Sequence, residues 1–394
     1  MRLVGTTVRG IRTPIIKEND DLASIVVDSV INASESERFN FKDKDIIAIT
    51  EAVVGISEGN YVTVDNIVSD LKAKFPSKEI GIVYPILSRN RFSMILKAIA
   101  RAMDKVTILL SFPSDEVGNG IMDENLLSAS PFNLGSLISE EDYGKYFGTF
   151  IHPFTGINMV DYYRNLVKSE NCDVEFVFSN NPSDILKYTN NVLTCDIHSR
   201  FKTKKVLSKQ GAFVLSLSDI LNESVGGSGF NPDYGLLGSN KSTDERLKLF
   251  PKDGASLVLK IKDEMFKRTG KNFEVMVYGD GAFKDPVGGI WELADPVVSP
   301  FYTDGLKGTP NEIKLKYVSD NMFADLRGDE LKDAIKEEIK KKDNDLKGQN
   351  VSLGTTPRRI TDLVGSLCDL TSGSGDKGTP VVLVQGYFDN LADE

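Results

Sequence analysis

The sequence predicts an α/β protein, and three stretches carry that prediction. Residues 79–222 alternate short apolar runs with amphipathic helical patterns, the signature of strand–helix–strand units in a parallel sheet. Residues 273–278 (FEVMVY) form a short apolar run rich in strand formers, as expected of a strand buried on both faces. Residues 381–385 (VVLVQ) repeat that pattern directly after a helical segment and a glycine-rich loop.

In chain order, residues 3–8 read as a first strand. Gly10 and Pro14 then argue against regular structure over 9–17. Asn19 or Asp20 is placed to cap a helix whose apolar positions Leu22, Ile25, Val26 and Val30 keep helical spacing. Residues 45–51 (DIIAITE) begin a strand expected to run on through AVVGISEGNYV, with a turn at Glu58-Gly59. Within 79–222 the expected strands are 79–84, 106–112, 174–178, 194–198 and 212–217. The expected helices include 92–103, 183–192 and 202–210. The stretch lacks both GxGxxG and GxxxxGK[ST], so neither a dinucleotide fingerprint nor a P-loop is present.

Residues 224–240 (SVGGSGFNPDYGLLGSN) hold five glycines in seventeen positions, suiting either a linker or a loop whose N–H groups face phosphate. A helix is expected over 253–267 with Gly270 as its stop, and then the strand 273–278 ends at Gly279-Asp280-Gly281. A carboxylate fixed at the end of a buried strand suits a divalent cation, and a D-G pair equally suits a plain turn. Trp291 reads as core. Residues 322–347 form a charged helical stretch broken at Gly328, and Thr356-Pro357 starts a last helix with the face Ile360, Leu363, Val364, Leu367 and Leu370. The loop 372–379 (SGSGDKGT) is either a flexible connection or a second phosphate cradle.

Composition narrows the function classes. The net charge of −10 argues against nucleic acid as a partner, and Lys340-Lys341-Lys342 lies among acids as a solvated face. No apolar run approaches a membrane span, and MRLVGTTVRG is no signal peptide. Cys172, Cys195 and Cys368 are sparse and lack CxxC spacing, which fits a reducing cytoplasm. With only His152 and His198 in the chain, a multi-histidine zinc site is excluded, and His198 reads as structural.

The order of these features resembles the coenzyme F-420:L-glutamate ligases. VRGIRTPIIKENDDL is similar to that family's opening loop and helix start, and DIIAITEAVVGISEGNYV to its V-V-V-T-x-K-x-V-S-K-x-E-G-R stretch. YGLLGSN resembles A-G-V-D-A-S-N, VMVYGDGAF resembles I-I-S-D-T-F-G, and LVGSLCDLTSGSGDKGTPVVLVQG resembles the C-terminal helix, G-x-D-G-T-P loop and strand. The resemblance covers 1–78 and 226–394. It implies a mixed α/β gamma-glutamyl ligase-like body broken by an inserted α/β domain over 79–225, and a homodimer. It also implies GTP as co-substrate, an acyl phosphate on a small-molecule carboxylate, attack by an amino acid such as L-glutamate, and Mg2+ or Mn2+.

Carried over singly, Asp280 matches a metal-binding Asp and Asn240 a nucleotide-contacting Asn. Ile11, Pro14 and Ile16 fall in the opening nucleotide loop, and Ser374, Gly375, Asp376, Lys377, Gly378 and Thr379 in the C-terminal one. The family's second metal Asp falls on Leu237, its two lysines on Ala52 and Ile56, and the threonine after the first Asp on Gly281. Asp233 or Glu58 is the available replacement acid. The altered positions leave a second expectation open, a diverged relative that binds a small anionic or phosphorylated ligand without catalysis.

Overall fold

The computed structural model describes residues 3–153, 155–283, 293–355, 358–372 and 375–393. Three sheets are built from the strands. The first is mixed and five-stranded, in the spatial order Thr7–Ile11, Val381–Gln385, Ile46–Thr50, Glu274–Tyr278, Phe301–Tyr302. Ile46–Thr50 and Glu274–Tyr278 run parallel at its centre, and Val381–Gln385 lies antiparallel to both its neighbours.

Alternation along these strands explains why they read as unbroken apolar runs. Ile47, Ile49, Val275, Val277, Val381 and Leu383 face the helices Leu22–Glu37 and Gly254–Thr269. Ile46, Ala48, Met276, Tyr278, Val382 and Val384 face the helix Ile360–Ser372. With both faces covered, each strand residue is apolar whichever way it points.

The second sheet has six strands in the order Ile138–Ser139, Asp173–Phe178, Lys105–Leu110, Glu79–Val83, Asn191–Thr194, Phe213–Ser216. All run parallel except Ile138–Ser139. From Glu79–Val83 the chain first winds outward on one side, then returns to build the other, so the strand order reverses beside Glu79–Val83. A crevice outside the carboxyl ends of the strands is the usual consequence. The helix Phe92–Ala102 follows in this layer, and the helix Val64–Lys74 packs against it through Val64, Ile67 and Leu71.

A small third sheet joins Asn240–Thr243, Arg246–Lys248 and Tyr61–Thr63. Its register sets Asn240 opposite Lys248 and Lys248 opposite Tyr61. The turn of this sheet is tied to the second layer: Glu245 accepts from Arg101 at 2.9 Å and from Lys97 at 2.5 Å. These hydrogen bonds bring the Glu245 carboxyl down to about 2.

Several local expectations are corrected. The first strand is Thr7–Ile11, not 3–8, because pairing begins at Thr7 with Gln385, and Leu3 and Val4 are exposed. Gly10 sits inside this strand, where a Cβ would lie 3.1 Å from the Thr379 Cβ. The helix Leu22–Glu37 is capped by Asp21, which accepts from the Ser24 N–H, and not by Asn19 or Asp20. The long strand expected from residue 45 stops at Thr50, and Glu51–Ser57 is a helix. A five-residue apolar run has no periodicity to tell the two apart, and here Gly55 lets the helix come close to the Leu249 carbonyl.

The expected helix 183–192 is a short 3-10 turn, Pro182–Lys187, and the strand expected at 194–198 is Asn191–Thr194. Of the charged stretch only Gly328–Lys341 is an α-helix, so Gly328 begins a helix rather than interrupting one, and the short helix Leu315–Asn321 precedes the stretch. Thr356-Pro357 and Trp291 lie outside the described residues.

Gly81 tests the packing of the parallel layer. A Cβ there would sit 2.5 Å from the Ile185 Cγ1 in a filled interior. Gly81→Ala is expected to lower stability by about 1–3 kcal/mol, measured by urea unfolding. An unchanged midpoint would show that Ile185 yields freely.

Candidate functional site

One cleft of about 1080 Å3 lies where the three sheets meet. Its walls come from distant parts of the chain. Thr13, Pro14 and Ile16 come from the opening loop, Glu51, Ala52 and Ile56 from the helix after the second strand, and Asn240, Lys241 and Lys248 from the small sheet. Arg89, Asn90 and Arg91 come from the loop at the carboxyl end of Glu79–Val83, Asp280 from the strand end, and Gly375, Gly378 and Thr379 from the C-terminal loop.

Asp280 is held by a turn whose N–H groups are answered by side chains. The Asp280 N–H donates to Asp295 Oδ2 at 2.8 Å, the Gly281 N–H to Asp369 Oδ2 at 2.9 Å, and the Ala282 N–H to Ser366 Oγ at 2.9 Å. Gly279 is required, since a Cβ there would lie 2.3 Å from Asp295 Oδ2. The same turn thus packs two further carboxylates around Asp280. Burial, with Asp295 beside it, pushes the Asp280 carboxyl up, against the pull of Arg91.

Arg91 supplies the opposing charge. Its Nη1 lies 2.6 Å from Asp295 Oδ1 and its Nη2 3.0 Å from Asp280 Oδ2. Both carboxylates therefore share one guanidinium, whose planar fork matches that geometry. The loop behind Arg91 is anchored. Ser88 Oγ accepts the Arg91 N–H at 2.9 Å, and Asp115 Oδ2 accepts the Leu87 N–H at 2.8 Å.

A second buried pair lies alongside. Lys248 Nζ is 2.7 Å from Glu51 Oε2, and both side chains are under 10% exposed. Burial raises the Glu51 carboxyl, Lys248 opposes that rise, and Asp295 adds to it. The Asp369 carboxyl is also raised by burial.

The sequence-expected residues divide clearly. Pro14, Ile16, Asn240, Asp280, Gly375, Gly378 and Thr379 line the cleft together. Asn240 Oδ1 is 3.4 Å from Asn90 Nδ2, a long contact at the cleft wall. Ile11 is buried in its strand opposite Val381, and Asp376 and Lys377 are exposed beyond the lining residues. Ser374 lies outside the described residues. Asp233 is exposed on its loop away from the cleft lining, where its N–H donates to Asn231 Oδ1. Glu58 accepts the Lys252 and Asp253 N–H groups at 3.0 Å and borders a separate hollow of about 410 Å3. Leu237 is buried in the core of the six-stranded layer. His198 Nε2 lies 2.9 Å from the Leu293 carbonyl oxygen, linking that layer to the segment leading to Asp295.

Arg91, Asp295, Glu51, Lys248, Arg89 and Lys241 were not singled out from the sequence. A signal existed for two of them: SRNR stands in the loop after the first parallel strand, where ligand crevices form. Glu51 was hidden by reading its helix as strand.

Fold and cleft define a class, an α/β protein with a charged, deep site assembled from three sheets. Residues 10–386 match the F420-0:Gamma-glutamyl ligase family, and the chain belongs to that family. The matched span includes the whole six-stranded layer. No curated protein matches the chain. Among the described residues, no helix is long and apolar enough to cross a membrane.

The arrangement does not suit a resident divalent ion. Among the described residues no group of three or more His, Cys, Asp or Glu is placed to hold one. The nearest approach, Asp280 with Asp295, already contains a guanidinium.

Two outcomes test the site. Lys248→Met strands the buried Glu51 carboxylate and is expected to cost about 3–5 kcal/mol. Adding Glu51→Gln to it should recover part of the loss in a double-mutant cycle. The second concerns Asp115, whose carboxyl burial raises from 3.8 to about 6. An acid with a raised folded value binds more protons folded than unfolded, so its contribution is full below pH 3.8 and fades as pH rises through about 6. Denaturation across that interval should show a shallower pH slope in Asp115→Asn than in the parent.

Proposed function

We propose that the cleft binds a nucleoside triphosphate, GTP in the first instance, beside a small-molecule carboxylate, and joins an amino acid such as L-glutamate to it. The observation that carries this reading is the convergence of Asn240, the opening loop, the C-terminal glycine loop and Asp280 in one cleft. Gly375 and Gly378 of the C-terminal loop offer N–H groups unobstructed by side chains, and Arg89 and Lys241 at the exposed wall offer positive charge to phosphate.

In the proposed reaction the acceptor carboxylate oxygen attacks the γ-phosphorus, and the bond to the β-phosphate oxygen breaks. The amine of the amino acid then attacks the acyl carbon, inorganic phosphate leaves with that oxygen, and the amine loses its proton. Mg2+ or Mn2+ belongs to this proposal as the counter-ion brought in with the nucleotide phosphates. A homodimer, a cytoplasmic setting and a layer of its own for residues 79–225 are parts of the same reading.

A specific observation favours a second reading. Ala52 and Ile56 line the cleft at the two positions where the resemblance puts lysines. A scaffold lacking those cations is suited to holding a small anionic or phosphorylated ligand without turning it over.

Thermal-shift titration with GTP, ATP and GDP, with and without Mg2+, tests both. Saturation at about 100 times the dissociation constant should stabilise the protein by about 2.7 kcal/mol. Asp280→Asn should remove the Mg2+-dependent part of that gain and leave the apo fold intact. No response to any nucleotide would overturn the ligase reading. Binding without phosphate release on addition of carboxylic acids and L-glutamate would favour the second.

A further inference from the structure

We infer that the six-stranded layer carries a site of its own for a primary ammonium group, held between Tyr84, Thr194 and Asp196. The occupant is the free ammonium ion or the head of a small amine. The inference goes beyond the ligase reading and uses none of the residues that line the cleft.

Three oxygens without partners carry it. The Tyr84 hydroxyl, Thr194 Oγ1 and Asp196 Oδ1 are closed off from solvent, and none has a hydrogen-bond partner. Thr194 is 0% exposed and Asp196 1%. A buried oxygen left unanswered is costly, so a group that answers it is called for.

The topology gathers the three on one face of the sheet. Leu193, Cys195 and Ile197 enter the core on one side. Val192, Thr194 and Asp196 therefore face the other, where Val192 packs with Val83 and Leu207. Thr194 lies opposite Val83 in the parallel register. Tyr84 has left-handed backbone, φ 54°, and its ring packs on the Val83 side instead of alternating away. The helix Arg200–Ser208 and the 3-10 turn Pro182–Lys187 roof this face through Leu207 and Ile185. From the helix, the Thr203 hydroxyl donates to Asp196 Oδ2 at 2.6 Å. The place is the carboxyl end of the strands beside which the strand order reverses, where ligands of such layers bind.

Charge decides the class of occupant. Asp184, on the roofing turn, has Lys187 at 2.8 Å. Asp196 has only the Thr203 hydroxyl on Oδ2 and nothing on Oδ1. Arg200 turns instead to the Ile197 carbonyl and the Phe201 ring, and the Ser199 hydroxyl donates to Glu116 Oε1 at 2.7 Å. Burial pushes the Asp196 carboxyl up to about 6, and Glu116 adds to that rise. The site is thus short of one positive charge. A primary ammonium supplies it, and its three N–H donors match the three oxygens in number.

Thermal unfolding of the full chain in ammonium, methylammonium, potassium and tetramethylammonium chloride, at matched ionic strength, tests the inference. Ammonium should raise the midpoint saturably, whereas tetramethylammonium, with no N–H to donate, should not. Ammonium acting at the lower concentration identifies the free ion, and methylammonium doing so identifies an amine head group. Asp196→Asn should remove the response, read against that variant's own midpoint without ammonium. Thr194→Val and Tyr84→Phe keep the shape and drop one oxygen each, and each should weaken the apparent ammonium affinity at least about fivefold. Equal midpoints in all four salts would overturn the inference and leave the three oxygens to ordered water. So would a potassium response equal to that of ammonium, or a response that survives Asp196→Asn. Should Asp196→Asn not fold, Thr194→Val and Tyr84→Phe decide, and unchanged affinity in both overturns the site.

Discussion

The structure depends on one charge arrangement, a guanidinium from one layer set between two carboxylates of the other. Three close-packed acids, Asp280, Asp295 and Asp369, surround a single turn, and such a cluster is unstable without a cation. Taking each ion out of water costs several kcal/mol, which the attraction repays only when hydrogen bonds complete the geometry. Here backbone N–H groups complete it, and Gly279 and Gly281 allow them to come close enough. The turn, the helix start at Arg91 and the segment around Asp295 are therefore fixed by one another.

Cationic charge in the cleft comes from outside the helix that follows the second strand. The helix Glu51–Ser57 presents Ala52 and Ile56, which bring no charge to the ligand. Lys248 reaches Glu51 from the small sheet, and Arg89 and Arg91 arrive from the parallel layer. Lys248 and Arg91 already have carboxylate partners, so the affinity of either for an anion is the difference between two sets of charge-assisted hydrogen bonds.

The small sheet is the joint that makes the cleft. Its strands pair Tyr61 with Lys248 and Lys248 with Asn240, placing a row of cleft residues side by side. Arg101 and Lys97, on the helix that begins after Arg91, grip Glu245 at its turn. The position of Asn240 relative to Arg91 follows from that grip and from the Lys241 N–H, which donates to the Asn90 carbonyl at 2.6 Å.

The sequence by itself determined the fold class, the buried strands, the strand-end carboxylate and both glycine loops. Each rests on local chemistry: apolar runs covered on both faces, a carboxylate between glycines, loops rich in glycine. It also carried the family, through the order of those motifs. Tertiary structure decided the rest. AVVGI is a helix whose Gly55 packs close to the Leu249 carbonyl, a contact no local pattern encodes, and the exclusion of Asp233, Glu58, Asp376 and Lys377 from the cleft lining turned on where their loops lie. Arg91 lies 189 residues from Asp280 and 204 from Asp295 in the chain. No local pattern encodes such a pairing, because it exists only once two sheets have packed together.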